Sequence, residues 1–203
     1  MKKIKREFFQ KSALKVARNM LGKYLVRETS EGKCVLKIVE TEAYMGVDDD
    51  ASHSYRGRLT DRNKVMYENG GVFYIYSIYG IYYCLNVVTN KKNIPQAVFI
   101  RAAEPLEGVE ILKKNRNMNN FNFLHLANGP SKIAQALGLN KEFYGRSVEN
   151  NRLYFLEGEK VSSKEIALAP RINIDYAQCA KDYPWRFFIK GNKFISKKQF
   201  YSL

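Results

Sequence analysis

Cysteine, histidine and acidic residues are scarce in this 203-residue chain, and long apolar runs are absent. Cys34, Cys84 and Cys179 are an odd number, none has a partner at Cys-x-x-Cys spacing, and each sits in an apolar or strand-like context. A disulfide framework and a zinc site are therefore not expected, and the three read as buried free thiols in a reducing compartment. His53 and His125 are the only histidines, and Asp48, Asp49 and Asp50 are consecutive, so their side chains diverge and no metal-ligand spacing results. No stretch is apolar over the length a bilayer requires, and Met1-Lys-Lys-Ile-Lys-Arg-Glu carries charge with no apolar run behind it. A cytoplasmic protein without a membrane partner is expected. No Gly-x-x-x-x-Gly-Lys is present, which removes the usual phosphate-cradling loop.

The shortage of acid has the largest consequence. Thirty-four Lys and Arg face twenty Asp and Glu, a formal charge of +14. An excess of that size favours a polyanion as partner, nucleic acid before an anionic membrane surface. A generally lysine-rich proteome is the alternative. At this length one domain spanning 1–203 can bury its own core, and no linker or internal repeat divides it.

What is abundant is tyrosine, concentrated in Gly70-Gly-Val-Phe-Tyr-Ile-Tyr-Ser-Ile-Tyr-Gly-Ile-Tyr-Tyr-Cys-Leu-Asn86. β-Branched and aromatic residues without proline predict two strands, reversing near Tyr79-Gly80. Hairpin tips ordinarily carry small polar residues, but here Tyr79 lies between Ile78 and Ile81. Composition leaves open whether another part of the fold covers this tip or the tip enters a partner. Around the hairpin the patterns predict a helix over residues 8–21, with Ser12 as its cap and Gly22 as its stop. Strands follow over 23–27 and 34–43, and in the second Val35, Lys37, Val39 and Thr41 alternate with Leu36, Ile38, Glu40 and Glu42. A polar stretch over 46–69 includes a short helix capped by Thr60. Further on, a strand is predicted over 96–102, helices over 104–116 and from Gly129 to Gly138, and short strands over 152–156, 166–168, 171–174 and 186–189. The sum is one α+β domain with a mostly antiparallel sheet.

Chemistry can reside in a few places. Glu40 and Glu42 sit at strand spacing, on one face, with Cα atoms about 6.5–7 Å apart; they serve either as a general base at a pocket rim or in a structural ion pair. His53 suits a hydrogen-bonding role in a pocket better than metal binding. Arg101 ends the apolar run Ala97-Val-Phe-Ile100 and must meet a carboxylate or a phosphate if buried. Gly129-Pro-Ser131-Lys132 opens a helix with free N–H groups, a hydroxyl and an ammonium, an anion site by geometry.

Taken in order and spacing, Val39-Glu-Thr-Glu-Ala-Tyr44, His53-Ser54, the tyrosine run to Asn86, Arg101-Ala-Ala-Glu104-Pro-Leu-Glu-Gly108 and Gly129-Pro-Ser-Lys132 resemble the 3-methyladenine DNA glycosylases of the mammalian alkyladenine type. The resemblance covers roughly residues 8–189, and the motifs are specific together although each is weak alone. It implies a curved sheet with flanking helices and a protruding hairpin, and a monofunctional enzyme that flips an alkylated purine out of duplex DNA and hydrolyses its N-glycosidic bond. By the same match Glu42 activates water and Arg101 helps hold that water. Tyr44, His53 and Tyr76 stack on the base, and Asn86 crowds the exocyclic amino group of guanine. Tyr79 fills the vacated place in the stack, with Gly80, Arg62, Ser131 and Lys132 also at the DNA. Double-stranded DNA with damaged purines is the implied partner of a monomer, and neither cofactor nor metal is implied. Phe99 is bulkier than the aliphatic residue the family pattern leads one to expect, which bears on lesion range. The competing readings are a non-catalytic minor-groove or single-strand binder and an RNA-binding protein.

One geometric expectation follows. A two-residue turn at Tyr79-Gly80 would set Tyr76 and Asn86 on opposite faces, so a shared pocket requires an odd-length tip such as 79–81, or a bulge.

Overall fold

The computed structural model describes residues 1–78, 80–118 and 121–196. Eight strands form one sheet: β1 (Tyr24–Thr29), β2 (Gly32–Tyr44), β3 (Phe73–Ile78), β4 (Tyr82–Thr89), β5 (Gln96–Glu107), β6 (Leu153–Leu156), β7 (Ile166–Ala169) and β8 (Arg186–Ile189). Their order is β3-β4-β5-β2-β1-β6, and every pairing is antiparallel. The path branches at β2, the longest strand. One of its edges pairs with β5, while the other pairs first with β1 and then, over Glu40 to Glu42, with β8, whose far edge takes β7. The result is the antiparallel α+β architecture that the sequence patterns predict, with the curved sheet that the resemblance implies.

Helices α1 (Ala13–Met20), α2 (Val109–Arg116) and α3 (Pro130–Ala136) accompany the sheet. Helix α1 packs on β2 and β5, and α3 on β4 and β5. Ala13, Val16, Ala17 and Met20 share one buried cluster with Leu36, Ile38, Ala43, Val98, Ile100, Phe73 and Leu85, so the helices cover one face of the sheet. The Thr41 hydroxyl donates to Ala17 O at 2.9 Å and pins β2 to the end of α1. No helix among the described residues is long and apolar enough to cross a membrane.

Several elements differ from the sequence expectation. Residues 6–9 form a separate 3-10 turn ahead of α1, so the first helix is shorter than predicted. Glu104 and Pro105 belong to β5 rather than to a helix, because the strand goes on pairing with β2 as far as Val35↔Glu107. The turn into α2 is made at Gly108, whose φ is +77° and where a Cβ would lie 2.5 Å from Lys33 O. Only glycine fits there without strain. Residues 171–174 are not a strand; the Ile172 N–H donates to the Glu42 side chain in place of a ladder partner. The short helix before the hairpin is a 3-10 turn, Lys64–Tyr67, whose cap position is Asn63 rather than Thr60. Cys34 and Cys84 are buried, whereas Cys179 is exposed.

Strict alternation along β2 also fails at one point. Pairing with β5 runs regularly as Glu42↔Phe99 and Thr41↔Ile100, then becomes irregular at Glu40↔Ala102 before Ile38↔Ala103. Arg101 is the extra residue on β5 and Val39 the extra one on β2. The two irregularities move the period by one: Leu36 and Ile38 face the helices, but so do Thr41 and Ala43, while Glu40 and Glu42 face away. A bulge re-aims side chains in this way, and this one lies among the carboxylates.

Candidate active site

The face turned away from the helices carries the cavity. The hairpin pairs Ile78 with Tyr82, Tyr76 with Cys84 and Tyr74 with Asn86. Three positions, 79–81, therefore connect the strands, and Tyr76 and Asn86 fall on one face, as an odd-length tip requires. Gly80, at φ +71°, and Ile81, 72 % exposed, lie at this tip, and Tyr82 beside them is also exposed. Tyr79 itself is outside the described residues.

The cavity has a volume of about 490 Å³. Tyr44 from β2, Tyr74 and Tyr76 from β3, Asn86 from β4, and Phe99 and Arg101 from β5 line it on the sheet side. His53 and Arg62 close it from the loop between β2 and β3, Pro130 and Ser131 from the start of α3, and Ile172 to Ile174 with Tyr176 from the segment after β7. The walls are aromatic at close range: His53 meets Tyr76 edge-on at 4.8 Å, Tyr74 tilts against Tyr76 at 5.2 Å, and Tyr44 meets Phe99 edge-on at 6.4 Å.

Glu42 lies directly behind this wall, wholly buried. All three of its bonded neighbours line the cavity. Its Oε1 accepts from the Ile172 N–H at 2.8 Å and pairs with Arg101 Nη1 at 3.3 Å; its Oε2 accepts from the Tyr44 hydroxyl at 3.1 Å. Burial pushes the Glu42 carboxyl above the usual glutamate range, while Arg101, the Ile172 N–H and the Tyr44 hydroxyl pull it back. Arg101, released from strict register by the bulge, reaches Glu40 as well, at 3.6 Å.

The two glutamates, equivalent in sequence, have different surroundings. Glu40 is bound by Arg186 at 2.9 Å and by Ser196, through its N–H at 2.5 Å and its hydroxyl at 3.0 Å. It is held as a structural anion, while Glu42 faces a cavity through polar partners.

His53 Nδ1 and the Tyr74 hydroxyl share a hydrogen bond of 2.7 Å. Burial, with Arg62 and Arg58 nearby, lowers the imidazole to about 4, so the ring is neutral at pH 7. Asn86 donates from Nδ2 to Tyr74 O at 3.1 Å, which fixes its amide and leaves its carbonyl oxygen as the group without a local duty in that bond. Arg62 holds its guanidinium carbon 4.8 Å from the centre of the Tyr76 ring and donates to Ser77 O. Ser131 reaches the cavity; Lys132 turns to Asn128 Oδ1 at 2.7 Å and does not line it.

Sequence reasoning singled out Glu42, Tyr44, His53, Tyr76, Asn86, Phe99 and Arg101, and missed Tyr74, Ile172, Arg171 and Asp49. Tyr74 was legible in principle, because an odd-length tip sets it opposite Asn86. Phe99, singled out for its bulk, lies in the cavity wall. Ile172 acts through its backbone, which no side-chain pattern reveals. Arg171 and Asp49 form a fully buried pair, with two N–H···O contacts of 2.6 and 2.7 Å. The aspartate triplet thus works within the fold: Asp49 holds Arg171, and Asp50 accepts the N–H groups of Gln178, Cys179 and Ala180.

Comparison with known proteins agrees in kind. The family profile of the methylpurine-DNA glycosylases matches residues 7–193. A protein of Clostridium novyi is 45% identical over 98% of this chain and all of its own length. One from Desulfitobacterium hafniense is 46% identical over the same shares. One from Natranaerobius thermophilus is 42% identical over 96% of this chain and 98% of its own length. All three are provisionally named 3-methyladenine DNA glycosylase. With an aromatic cavity, a buried carboxylate behind it and a family match over nearly the whole length, the chain belongs to the methylpurine-DNA glycosylases, enzymes of base excision repair that hydrolyse N-glycosyl bonds.

Proposed function

We propose that the protein takes 3-methyladenine and related alkylated purines, flipped out of duplex DNA into the aromatic cavity, and that Glu42 activates the water that replaces the base. The observation that carries this reading is the set of bonds around Glu42: a carboxylate wholly buried, yet held by three groups that all line one cavity.

A purine alkylated on a ring nitrogen is cationic, so its glycosidic bond can break with the electron pair returning to the ring and no acid to protonate it. Glycosidases in general use two carboxyl groups, one of them as acid; a cationic leaving group makes the second unnecessary. That matches the division of labour here, with Glu40 committed to Arg186 and Ser196. In this reading the water oxygen bonds to the sugar carbon, its proton passes to Glu42, and the carboxylate also stabilises the oxocarbenium character of the transition state. Water must take up one of the contacts on Glu42 now made by Tyr44 and Arg101.

The pocket is suited to an electron-poor base. Tyrosine faces attract cations, and the neutral His53 adds no opposing charge. The fixed Asn86 amide supplies the steric reason for sparing guanine. Phe99, between Asn86 and Glu42 in the register, narrows the floor and favours 3-methyladenine over larger adducts. Tyr79 would fill the gap in the stack, lowering the few kcal/mol that flipping costs. Phosphate contacts come from Arg62, Ser131, Lys132 and the backbone at Gly80. The enzyme acts as a monomer, without lyase activity, metal or cofactor.

Release of free 3-methyladenine from methylated duplex DNA is the direct test. Glu42→Gln should slow it by about 10²- to 10⁴-fold, the range of general-base contributions, while binding to the same DNA is kept. Equal release by the two proteins would remove Glu42 from the mechanism.

A further inference from the structure

Two of the three groups that bond Glu42 rest on one guanidinium. Arg171 Nη1 donates to Ala43 O at 3.0 Å and to Asp49 Oδ2 at 2.6 Å, and Nη2 donates to Asp49 Oδ1 at 2.7 Å and to Ala180 O at 3.5 Å. Its Cζ lies 4.6 Å from the centre of the Tyr44 ring and 5.0 Å from that of Trp185. Asp49 is fixed in turn, since its two oxygens accept the N–H groups of Met45 and Ala51. Arg171 therefore stitches β2, the loop after it and the segment before β8 into one piece. The residue next to it, Ile172, delivers its N–H to Glu42, and the ring beneath it, Tyr44, delivers its hydroxyl.

We propose that Arg171, held by Asp49, is a positioning residue for base excision: it sets Tyr44 and the Ile172 N–H against Glu42. The proposal rests on the reading of Glu42 as general base. Residues 171–174 lack strand pairing, so nothing in a sheet ladder holds the Ile172 N–H in place. A fork with four acceptors does so, and misplacement of a reacting group by about 1 Å can lower a rate by about 10². A lysine could neutralise Asp49 but could not span Asp49, Ala43 O and Ala180 O in one plane.

The charged and titratable groups around Glu42 are Glu40 and Tyr44 on its own strand, Arg101 on β5, Tyr76 on β3, Arg186 opposite it on β8, and Arg171 itself. Arg101 and the two donors favour the carboxylate, whereas burial and Glu40 oppose it. Loosening Ile172 and Tyr44 removes stabilisation from the ionised form, so its protonation moves to higher pH.

The experiment uses the full chain and methylated duplex DNA, with single-turnover base release measured across pH for wild type, Arg171→Lys, Arg171→Met, Asp49→Asn and Glu42→Gln. The expected result is a loss of about tenfold to a hundredfold in each Arg171 and Asp49 variant, with the acid limb of the profile moved to higher pH and affinity for the methylated DNA little changed. A loss of rate with the acid limb unmoved would overturn the positioning role and leave Arg171 structural. If Arg171→Met does not fold, Arg171→Lys and Asp49→Asn decide on the same readout. Glu42→Gln separates the two readings: if it keeps the wild-type rate and acid limb, the general-base reading falls and the positioning proposal with it. Loss of that limb in Glu42→Gln together with no shift in the Arg171 variants sinks the positioning proposal alone.

Discussion

At the scale of single residues, the site is governed by what each charge is denied. Glu42 has no contact with bulk water, so its ionisation is penalised and its folded-state value stands above the ordinary glutamate range. The sign follows from linkage. An acid whose value is raised by folding makes the protein less stable above that value, and the penalty disappears as pH falls through it. Glu42→Gln should therefore melt no lower than wild type at neutral pH, even as activity is lost, and its advantage should shrink on acidification; thermal melts at several pH values check this. Arg101 is the opposite case, a buried cation between two carboxylates. Arg101→Met leaves Glu42 and Glu40 facing each other, and breaking such a buried pair should cost about 3–5 kcal/mol, measurable by denaturant unfolding. His53, lowered to about 4, predicts that the pH profile of base release has no step in the ordinary histidine range; a step near 6.5 that vanishes in His53→Gln would contradict a neutral ring.

At the scale of elements, two irregularities place the residues of the proposed site. The bulge at Val39 and Arg101 lets β2 keep Leu36 and Ile38 on the helix side while turning Glu40 and Glu42 to the opposite face, where Glu42 lies behind the cavity wall. A continuous period would have set all four on one face and left either the core or the site unfilled. The three-position hairpin tip does the same for Tyr76 and Asn86. Gly108 ends β5 with a positive φ and no space for a Cβ. Gly108→Ala should cost more than about 1–2 kcal/mol, the penalty that a left-handed backbone imposes on an L-residue, because its methyl would meet Lys33 O. For the tip, Tyr79→Ser should weaken capture of the flipped state, read as fluorescence of a base analogue, without altering non-specific binding. An equal loss of the two would argue against a wedge.

At the scale of the whole molecule, the charge of +14 acts over a distance that no single contact covers. A lesion searcher requires affinity for any sequence, and cations that displace condensed counterions supply it. Binding to undamaged duplex should fall linearly on a log–log plot against salt, with a slope of about −0.9 per phosphate contacted. The slope should be the same in wild type and Tyr79→Ser.

Composition, charge and motif order were enough to read an α+β fold, a nucleic-acid partner and several of the side chains around the cavity. Those properties are local or additive: strand propensity follows from β-branched and aromatic runs, and net charge is a sum over residues. What sequence could not decide depended on contacts between distant segments. Strict alternation placed Leu36 with Glu42 because a bulge leaves no mark in a period of two; only pairing with β5 creates it. Glu40 and Glu42 are interchangeable as letters, and their partners, Arg186 and Ser196 for one, Arg101 and Ile172 for the other, arrive from positions between 59 and 156 residues away. Arg171 and Asp49, 122 residues apart, read as strand and polar loop until the fold joins them in a buried pair. Such pairs exist only where packing excludes water, and tertiary structure alone determines where that happens.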